Sequence, residues 1–338
     1  MKTIATLGVD LAKDVFHLHG VDARGHTVLE RRITRRKLPE FIATLPACFI
    51  GMESCGGSNY WSRVCTRSGH EVRRMNPKFV KPDVKSQKNE RNDAEAIGEA
   101  LRRPNKRFGS TKTVEQQNLQ MLHRSRRRLV GQRTALVNQT RGFLHEYGIV
   151  MAQGVSSVRR RVPEILEDAT NELTSLTREL VAQLYDELCA LDERVEGFEM
   201  RLKAQFRDNS MCQRLAKVEG IFPVSATALV ATVGDASVFD SGRGLAAWMG
   251  LVPKQTSTGG RPRLGSISKR GDRYLRSLLI HGARSVIQHL GEKQDRRSCW
   301  LRQLVARRGK NVASVALANK NARIIWALMT HDEDYRTA

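Results

Sequence analysis

The sequence predicts an α/β domain at the N-terminus, then a long helical segment, then a mainly helical C-terminal region. Short β-prone apolar runs crowd residues 3–75, and the first three precede any helical spacing. Apolar residues at three- and four-residue intervals dominate from residue 109 to 208. With 338 residues the chain can bury a sizeable core and form two or three domains. The divisions expected are 1–108, 109–208 and 209–330, with a polar tail at 331–338.

Three strands are expected at 3–9, 15–21 and 27–33, followed by a helix at 36–45. A short apolar run, Cys48-Phe49-Ile50-Gly51-Met52-Glu53, ends in an acid as the first strand does at Asp10. Gly56-Gly57 break the chain, residues 60–68 have helical spacing, and a strand at 71–75 closes on Asn76-Pro77. Strands first, then strands alternating with helices, describe a ribonuclease-H-like domain. In that fold the first strand is central and the fourth lies beside it, so Asp10 and Glu53 end a few ångströms apart.

Residues 83–95 are polar and lead into a helix at 93–102, with Asn89 or Asn92 as candidate cap. Glu90 and Asp93 are three apart and share a helical face. Asp10 alone can simply end a strand, and Glu90 with Asp93 can simply answer the helix dipole. Together with Glu53 they form a set of hard oxygen donors suited to Mg²⁺, with Mn²⁺ as a substitute. Paired ions about 4 Å apart serve phosphoryl transfer by clamping the attacking and leaving oxygens.

Residues 101–141 carry a dense run of Lys and Arg with Glu115 as the one acid. Val114, Leu119, Leu122, Leu129, Leu136 and Phe143 fit the buried stripe of a long helix. Arg124, Arg126, Arg127, Arg128 and Arg133 fall on its other faces. A solvated face usually pairs such charges at i,i+4; the lack of acids favours phosphate contact here. Arg159-Arg160-Arg161 continues the theme before Pro163. In residues 164–206 acids return, and Leu184, Leu188, Leu191, Val195, Phe198 and Leu202 form a coiled-coil seam. That seam either joins protomers or packs back on the long helix.

Residues 213–250 read as a compact helical unit in which 215–233 resemble a helix-hairpin-helix, although Phe222 and Pro223 replace the small residues of a phosphate-binding turn and leave packing as the safer role. A short helix is expected within 239–251. Residues 253–273 read as a loop of hydroxyls, glycines and cations, including Ser257, Thr258, Arg261, Arg263, Lys269, Arg270 and Arg273. Such a loop either grips a phosphate backbone or places a hydroxyl nucleophile against it. Helices at 274–290 and 311–328 follow; in the first, Leu278, Leu279 and Val286 face inward and Arg273, Arg276 and Arg284 outward.

The net charge of +22, from 57 Lys and Arg against 35 Asp and Glu, calls for a polyanionic partner. No run of about 18 apolar residues is present, so a membrane is not that partner, and no signal-peptide pattern opens the chain. Six scattered cysteines without a CxxC pair suggest reduced thiols in a cytoplasmic protein, nucleoid-associated when active. Aromatics at 6% argue against a stacking platform for single strands.

Six stretches carry a resemblance. They are Gly8-Val9-Asp10-Leu11-Ala12-Lys13, Met52-Glu53-Ser54-Cys55-Gly56, Lys88-Asn89-Glu90-Arg91-Asn92-Asp93-Ala94-Glu95-Ala96, Gly250-Leu251-Val252-Pro253-Lys254-Gln255, Ser257-Thr258-Gly259-Gly260 and Ser268-Lys269-Arg270-Gly271-Asp272-Arg273-Tyr274-Leu275-Arg276. In this order, and nearly end to end, they resemble the DEDD transposases of the insertion-sequence-110 family, above all the insertion-sequence-1111 subgroup. The resemblance implies a RuvC-like domain with Asp10, Glu53, Glu90 and Asp93 as its acids. The third acid of the family is usually Asp, and Glu90 is one methylene longer. It also implies a serine nucleophile in a C-terminal transposase domain: Ser257 when counted back from Lys269, Thr258 when counted forward from Pro253. Recombination through a phosphoserine, a dimer or tetramer, donor and target DNA, and a structured guide RNA encoded by the element are further implications. Arg261, Arg263 and Lys269 would neutralise the phosphate.

A Mg²⁺-dependent, structure-specific nuclease acting by water attack shares the acids but has no use for Ser257. A non-catalytic nucleic-acid-binding protein and an actin-like ATPase are more distant rivals. The latter lacks later glycine-rich phosphate loops.

Overall fold

The computed structural model describes residues 3–84, 90–103, 108–331 and 333–335. The chain divides into two compact units, Met1–Val114 with Val233–Gly244, and Glu115–Thr232 with Leu245–Ala338.

In the first unit β1 (Thr6–Asp10), β2 (Val15–Val21) and β3 (Thr27–Thr34) form an antiparallel meander. Helix α1 (Leu38–Ala43) leads to β4 (Phe49–Glu53), which joins β1 in parallel. Helix α2 (Ser58–Arg67) leads to β5 (Glu71–Met75), which joins β4 in parallel. The strand order is β3-β2-β1-β4-β5-β6, the last being a short antiparallel strand, Phe108–Gly109, that the sequence did not announce. The first strand is therefore interior, with the fourth at its side.

Successive side chains on a strand point to opposite faces. Leu7, Val9, Phe16, Leu18, Ile50 and Met52 pack on one face with Leu38 and Ile42 of α1 and Trp61 and Cys65 of α2. Phe16 and Trp61 meet edge to face, with centroids 5.1 Å apart. The opposite face receives α4 (Glu90–Arg102), which follows the short helix α3 (Pro77–Val80). Its Ala96, Ile97, Ala100 and Leu101 pack with Met75 and Val80. The helix begins at Glu90, three residues before the expected start; Asn92 lies inside it rather than capping it, and Asn89 is outside the described residues.

In the second unit α5 (Val114–His145), α6 (Val155–Glu167) and α7 (Ser175–Arg207) share one core. Leu129, Leu136 and Leu144 of α5 meet Val158 and Val162 of α6 and Val181, Leu188, Leu191 and Val195 of α7. The α7 seam is thus filled by the chain's own helices, while Leu202 packs with Leu119 and Ala231. Phe143, expected in the buried stripe, is half exposed and Leu144 takes its place at 0%. A seven-residue repeat drifts by about 20° per heptad on a straight helix, and three repeats from Leu122 carry the stripe one residue over. Val114, at the helix start, is likewise exposed. Pro163 lies inside α6 and cannot donate to the carbonyl of Arg159, which accepts from the Tyr185 hydroxyl at 3.2 Å instead.

Helices α8 (Ser210–Ala216) and α9 (Pro223–Val233) follow, then α10 (Gly242–Trp248), α11 (Arg273–Gln288) and α12 (Arg296–Thr330), which breaks at Gly309. The α8–α9 turn serves packing: a Cβ on Gly282 of α11 would stand 1.8 Å from the Gly220 carbonyl oxygen. Residues 253–273 are not a plain loop. β7 (Pro253–Gln255) and β8 (Leu264–Ile267) pair as an antiparallel hairpin. All six cysteines are free thiols; Cys48, Cys65 and Cys212 are buried, and burial pushes the Cys65 and Cys212 thiols up to about 12. No described helix is long and apolar enough to cross a membrane.

Candidate active site

The first unit places its acids by backbone geometry. A Cβ on Gly8 would lie 2.2 Å from the Ala94 carbonyl oxygen and 2.8 Å from the Gly98 amide nitrogen. Helix α4 therefore rests directly on β1, with glycine on both sides of the contact. Asp10 is two residues beyond Gly8 and shares its face. In β4, a Cβ on Gly51 would meet Ile97 at 3.1 Å and Leu101 at 3.2 Å, so Gly51 also faces α4, as does Glu53 two residues on. The end of β1 and the end of β4 thus present Asp10 and Glu53 on the side covered by α4, just past the start of that helix.

Glu90 and Asp93 belong to the first turn of α4, and the register fixes Glu90 at this edge. Asp10 is cross-strand partner of His17 on β2, and the His17 Nδ1 lies 3.2 Å from Glu90 Oε2. His17, Asp10 and Glu90 therefore meet at one corner of the sheet. Desolvation, then the charges of Glu53 and Asp10, push the Cys55 thiol up. That shift shows both carboxylates acting on one atom just after β4.

Backbone and face bring Asp10, Glu53 and Glu90 to one edge of the sheet, and Asp93 follows Glu90 in the first turn of α4. Among the described residues no three His, Cys, Asp or Glu side chains stand close enough to hold one ion. Glu90 is turned to His17. The donor set itself, carboxylate oxygens on one face of a sheet, fits a hard divalent cation.

In the second unit the hydroxyls sit on the β7–β8 hairpin. Gly259 and Gly260 have φ of 57° and 72°, and the Arg261 amide donates to the Thr258 carbonyl at 3.2 Å. Two central residues with positive φ make the tight primed turn that suits a hairpin. Ser257 and Thr258 stand exposed just before this turn, and Ser257 Oγ accepts from Gln255 Nε2 at 2.9 Å. Arg261, Arg263, Lys269, Arg270 and Arg273 are exposed on and beside the hairpin.

The hairpin base is locked. The Ser268 amide donates to the Val252 carbonyl at 2.8 Å and the Lys269 amide to that of Gly250 at 3.2 Å. Gly271 lies so close to the end of α10 that a Cβ would fall 1.7 Å from the Trp248 carbonyl oxygen. Asp272 caps α11 by accepting from the Leu275 amide. Arg276, expected to face outward, is buried; its guanidinium donates to the Met249 carbonyl at 2.9 Å and the Arg270 carbonyl at 3.3 Å. Part of the cationic motif is thus structural.

The α5 arginines divide as well. Arg126 donates through Nε to Glu199 at 3.1 Å and Arg133 pairs with Asp192 at 2.7 Å, both across to α7. The carboxylates missing from α5 itself are supplied by its neighbour, which corrects the expectation that these two face a phosphate. Arg127 stacks over the Tyr274 ring at 5.5 Å, and Arg128 donates to Gln132 at 3.2 Å. Arg124 is exposed. A buried network missed by the sequence lies alongside: His123 Nδ1 is 3.0 Å from the Tyr274 hydroxyl and its Nε2 3.0 Å from Thr227 Oγ1. Desolvation, then Arg126, push His123 down to about 4. The contacts of Gln255 and Arg276 have no local signal in the sequence, and for His17 only the alternation His17-Leu18-His19 on β2 hints that it shares the face of Asp10.

Two family models match the chain: a transposase model of the IS110 DEDD group over residues 7–149, and one described as the transposase IS116/IS110/IS902 family over residues 212–298. A probable family 20 transposase of Pseudomonas aeruginosa is 47% identical over 98% of this chain and 99% of its own length. The transposase for insertion sequence element IS1111A of Coxiella burnetii is 46% identical over 99% of this chain and 92% of its own. That for IS1328 of Yersinia enterocolitica is 40% identical, covering 98% of each chain. Carrying both matched segments in order, and similar to these relatives almost end to end, the chain belongs to the IS116/IS110/IS902 family of transposases.

Proposed function

We propose that this transposase cuts and rejoins DNA through a phosphoserine intermediate, using a RuvC-like acid site in the first unit and the β7–β8 hairpin in the second. What supports the reading is that the adjacent β1 and β4 end in Asp10 and Glu53 on the face covered by α4, with Glu90 of that helix 3.2 Å from His17, the cross-strand partner of Asp10, beside the family assignment. Mg²⁺, or Mn²⁺ in its place, held by these acids would neutralise charge at the scissile phosphate.

The remaining steps fall to the chain. The Ser257 hydroxyl attacks phosphorus and gives its proton to solvent. The bond to the 3′-oxygen breaks, and that oxygen leaves as a hydroxyl after taking up a proton. Gln255 holds the Ser257 oxygen in place, and Arg261, Arg263 and Lys269 balance charge on the phosphate. A 3′-hydroxyl of another strand then attacks the phosphoserine and frees the serine, so the phosphodiester energy is kept and no nucleotide is spent. Thr258, one residue nearer the turn, is the alternative nucleophile. Arg124, Arg127, Arg128, Arg270 and Arg273 are assigned to backbone contact with donor and target DNA, and with a guide RNA whose pairing would read sequence. Residues 109–208 serve as an arm and 209–330 as the transposase domain of a homo-oligomer.

The test is covalent trapping. The protein is co-expressed with its element DNA and denatured, and the adduct is mapped by mass spectrometry. An adduct on Ser257 supports the reading, and one on Thr258 reassigns the nucleophile. Cleavage that survives Ser257→Ala and Thr258→Ala but still requires Asp10 would replace it with the hydrolytic nuclease. Asp10→Asn should abolish cleavage; unchanged cleavage would remove the acid site from the mechanism.

A further inference from the structure

The strand rows extend past Asp10 to a residue so far without a role. Asp10 on β1 pairs with His17 on β2, and His17 pairs with Arg32 on β3. The register shift in the β2–β3 pair lies at Gly20 and Val21, away from this row. Residues opposite one another on adjacent strands share a face, so Arg32 stands on the face of Asp10, at the edge of the sheet. From this alignment we infer that Arg32 binds a backbone phosphate of the DNA strand being cut and seats that strand beside the acids. The inference rests on the acid site proposed above.

Neighbouring charges leave Arg32 available. It is exposed and makes no ion pair among the described residues. Glu30, two residues back on the same face, pairs with Arg91 of α4 at 2.8 Å, and Glu90 is turned to His17 at 3.2 Å. The other arginines of this edge are engaged in packing: Arg31, on the opposite face, lies over Phe41 at 5.0 Å, and Arg35 over Trp61 at 5.2 Å. Two strand spacings separate Arg32 from Asp10, about 10 Å, which is the rise of about three nucleotides along one strand. A single strand crossing the end of β1 toward β3 thus meets the acids and this guanidinium within a few phosphates. The simpler account of a charged residue here is protection of a sheet edge from pairing with another chain. That account does not distinguish Arg31 from Arg32, whereas the register does.

Full-length protein and an Arg32→Ala variant are titrated with duplex DNA carrying an end of the element, in the absence of divalent cation and across a salt series. Loss of one phosphate contact lowers the slope of log affinity against log salt by about one. The variant is expected to bind about fivefold to tenfold more weakly. Arg67→Ala, on α2 and the opposite face, should change neither quantity. Methylphosphonates, which lack charge, are then placed at single phosphates. Within about three nucleotides of the cut they should weaken the parent protein and leave Arg32→Ala unaffected, the signature of a shared contact. An unchanged slope with increased aggregation would show edge protection only and overturn the inference. Equal losses in Arg32→Ala and Arg67→Ala would overturn it as a net-charge effect, and a loss confined to single-stranded RNA of matched length would overturn it in favour of a guide contact. Cleavage by Asp10→Asn, measured in parallel, reports on the acid site alone, so failure of that reading is separable from failure of this one.

Discussion

Gly8→Ala tests the placement of the acids without touching one. The added Cβ would sit 2.2 Å from the Ala94 carbonyl oxygen and 2.8 Å from the Gly98 amide nitrogen. Both are backbone atoms of α4, so no side chain can swing away. An ordinary carbon–oxygen approach is about 3.3 Å, which requires the helix to rise by roughly 1 Å. Overpacking of this kind costs about 1–3 kcal/mol. The same displacement moves Glu90 and Asp93 relative to Asp10 and Glu53, and a misplacement of about 1 Å costs about 10²-fold in rate. Urea unfolding followed by circular dichroism should show a lower midpoint at unchanged slope. Yield of the protein–DNA adduct should fall much further than the lost stability explains. Gly142→Ala is the contrast: on α5 an added Cβ there meets nothing within 4 Å, so alanine should stabilise by up to about 1 kcal/mol. A Gly8→Ala protein as stable and as active as its parent would mean that α4 is not seated on β1 at this point and that Gly8 does not set the height of the helix above Asp10.

Three further outcomes are expected. Arg276→Met leaves the Met249 carbonyl without its donor at the hairpin base and should cost about 1–3 kcal/mol by urea unfolding; an unchanged midpoint would deny the clamp its role. Arg133→Ala should lower the unfolding midpoint through loss of the Asp192 pair while leaving the salt slope of DNA binding unchanged, whereas Arg124→Ala should do the reverse; equal slopes lost in both would restore Arg133 to the DNA surface. Folded His123, held near 4 by burial, refuses a proton that the unfolded chain accepts below about 6.5. Its contribution is complete above the unfolded value and is lost as pH falls toward the folded one, about 2 kcal/mol between about pH 7 and pH 5, so His123→Gln should flatten that part of the stability–pH curve and an unaltered curve would refute the assignment.

Legibility in the sequence followed the range of each interaction. Alternation along Leu7-Gly8-Val9-Asp10 and the run ending at Glu53 are local, and they located the strand ends that carry two acids. Interactions between distant segments were silent. The acids answering Arg126 and Arg133 lie 73 and 59 residues away on α7, so a charge run without local partners looked unpaired. The β7–β8 hairpin was hidden for another reason: β7 and most of β8 are exposed on both sides, so no apolar alternation marks them. Its one local sign was Gly259-Gly260, the pair that a primed turn needs.

The glycine motifs show why such sites resist a residue-by-residue reading. Gly8 and Asp10 are two apart and so share one face of β1. At Gly8 the absent side chain lets α4 settle onto the strand; at Asp10, one pleat further, the helix has reached its first turn and the face is open. The spacing does one job in two places, setting the height of the helix and leaving the carboxylate uncovered at its end. Gly51 and Glu53 repeat the spacing on the adjacent strand against the same helix. A side chain at Gly8 meets the backbone of α4 and lifts the helix, whereas one at Gly51 asks the ends of Ile97 and Leu101 to give by a few tenths of an ångström, so the geometry of the site is tied first to Gly8, a position that carries no chemistry of its own.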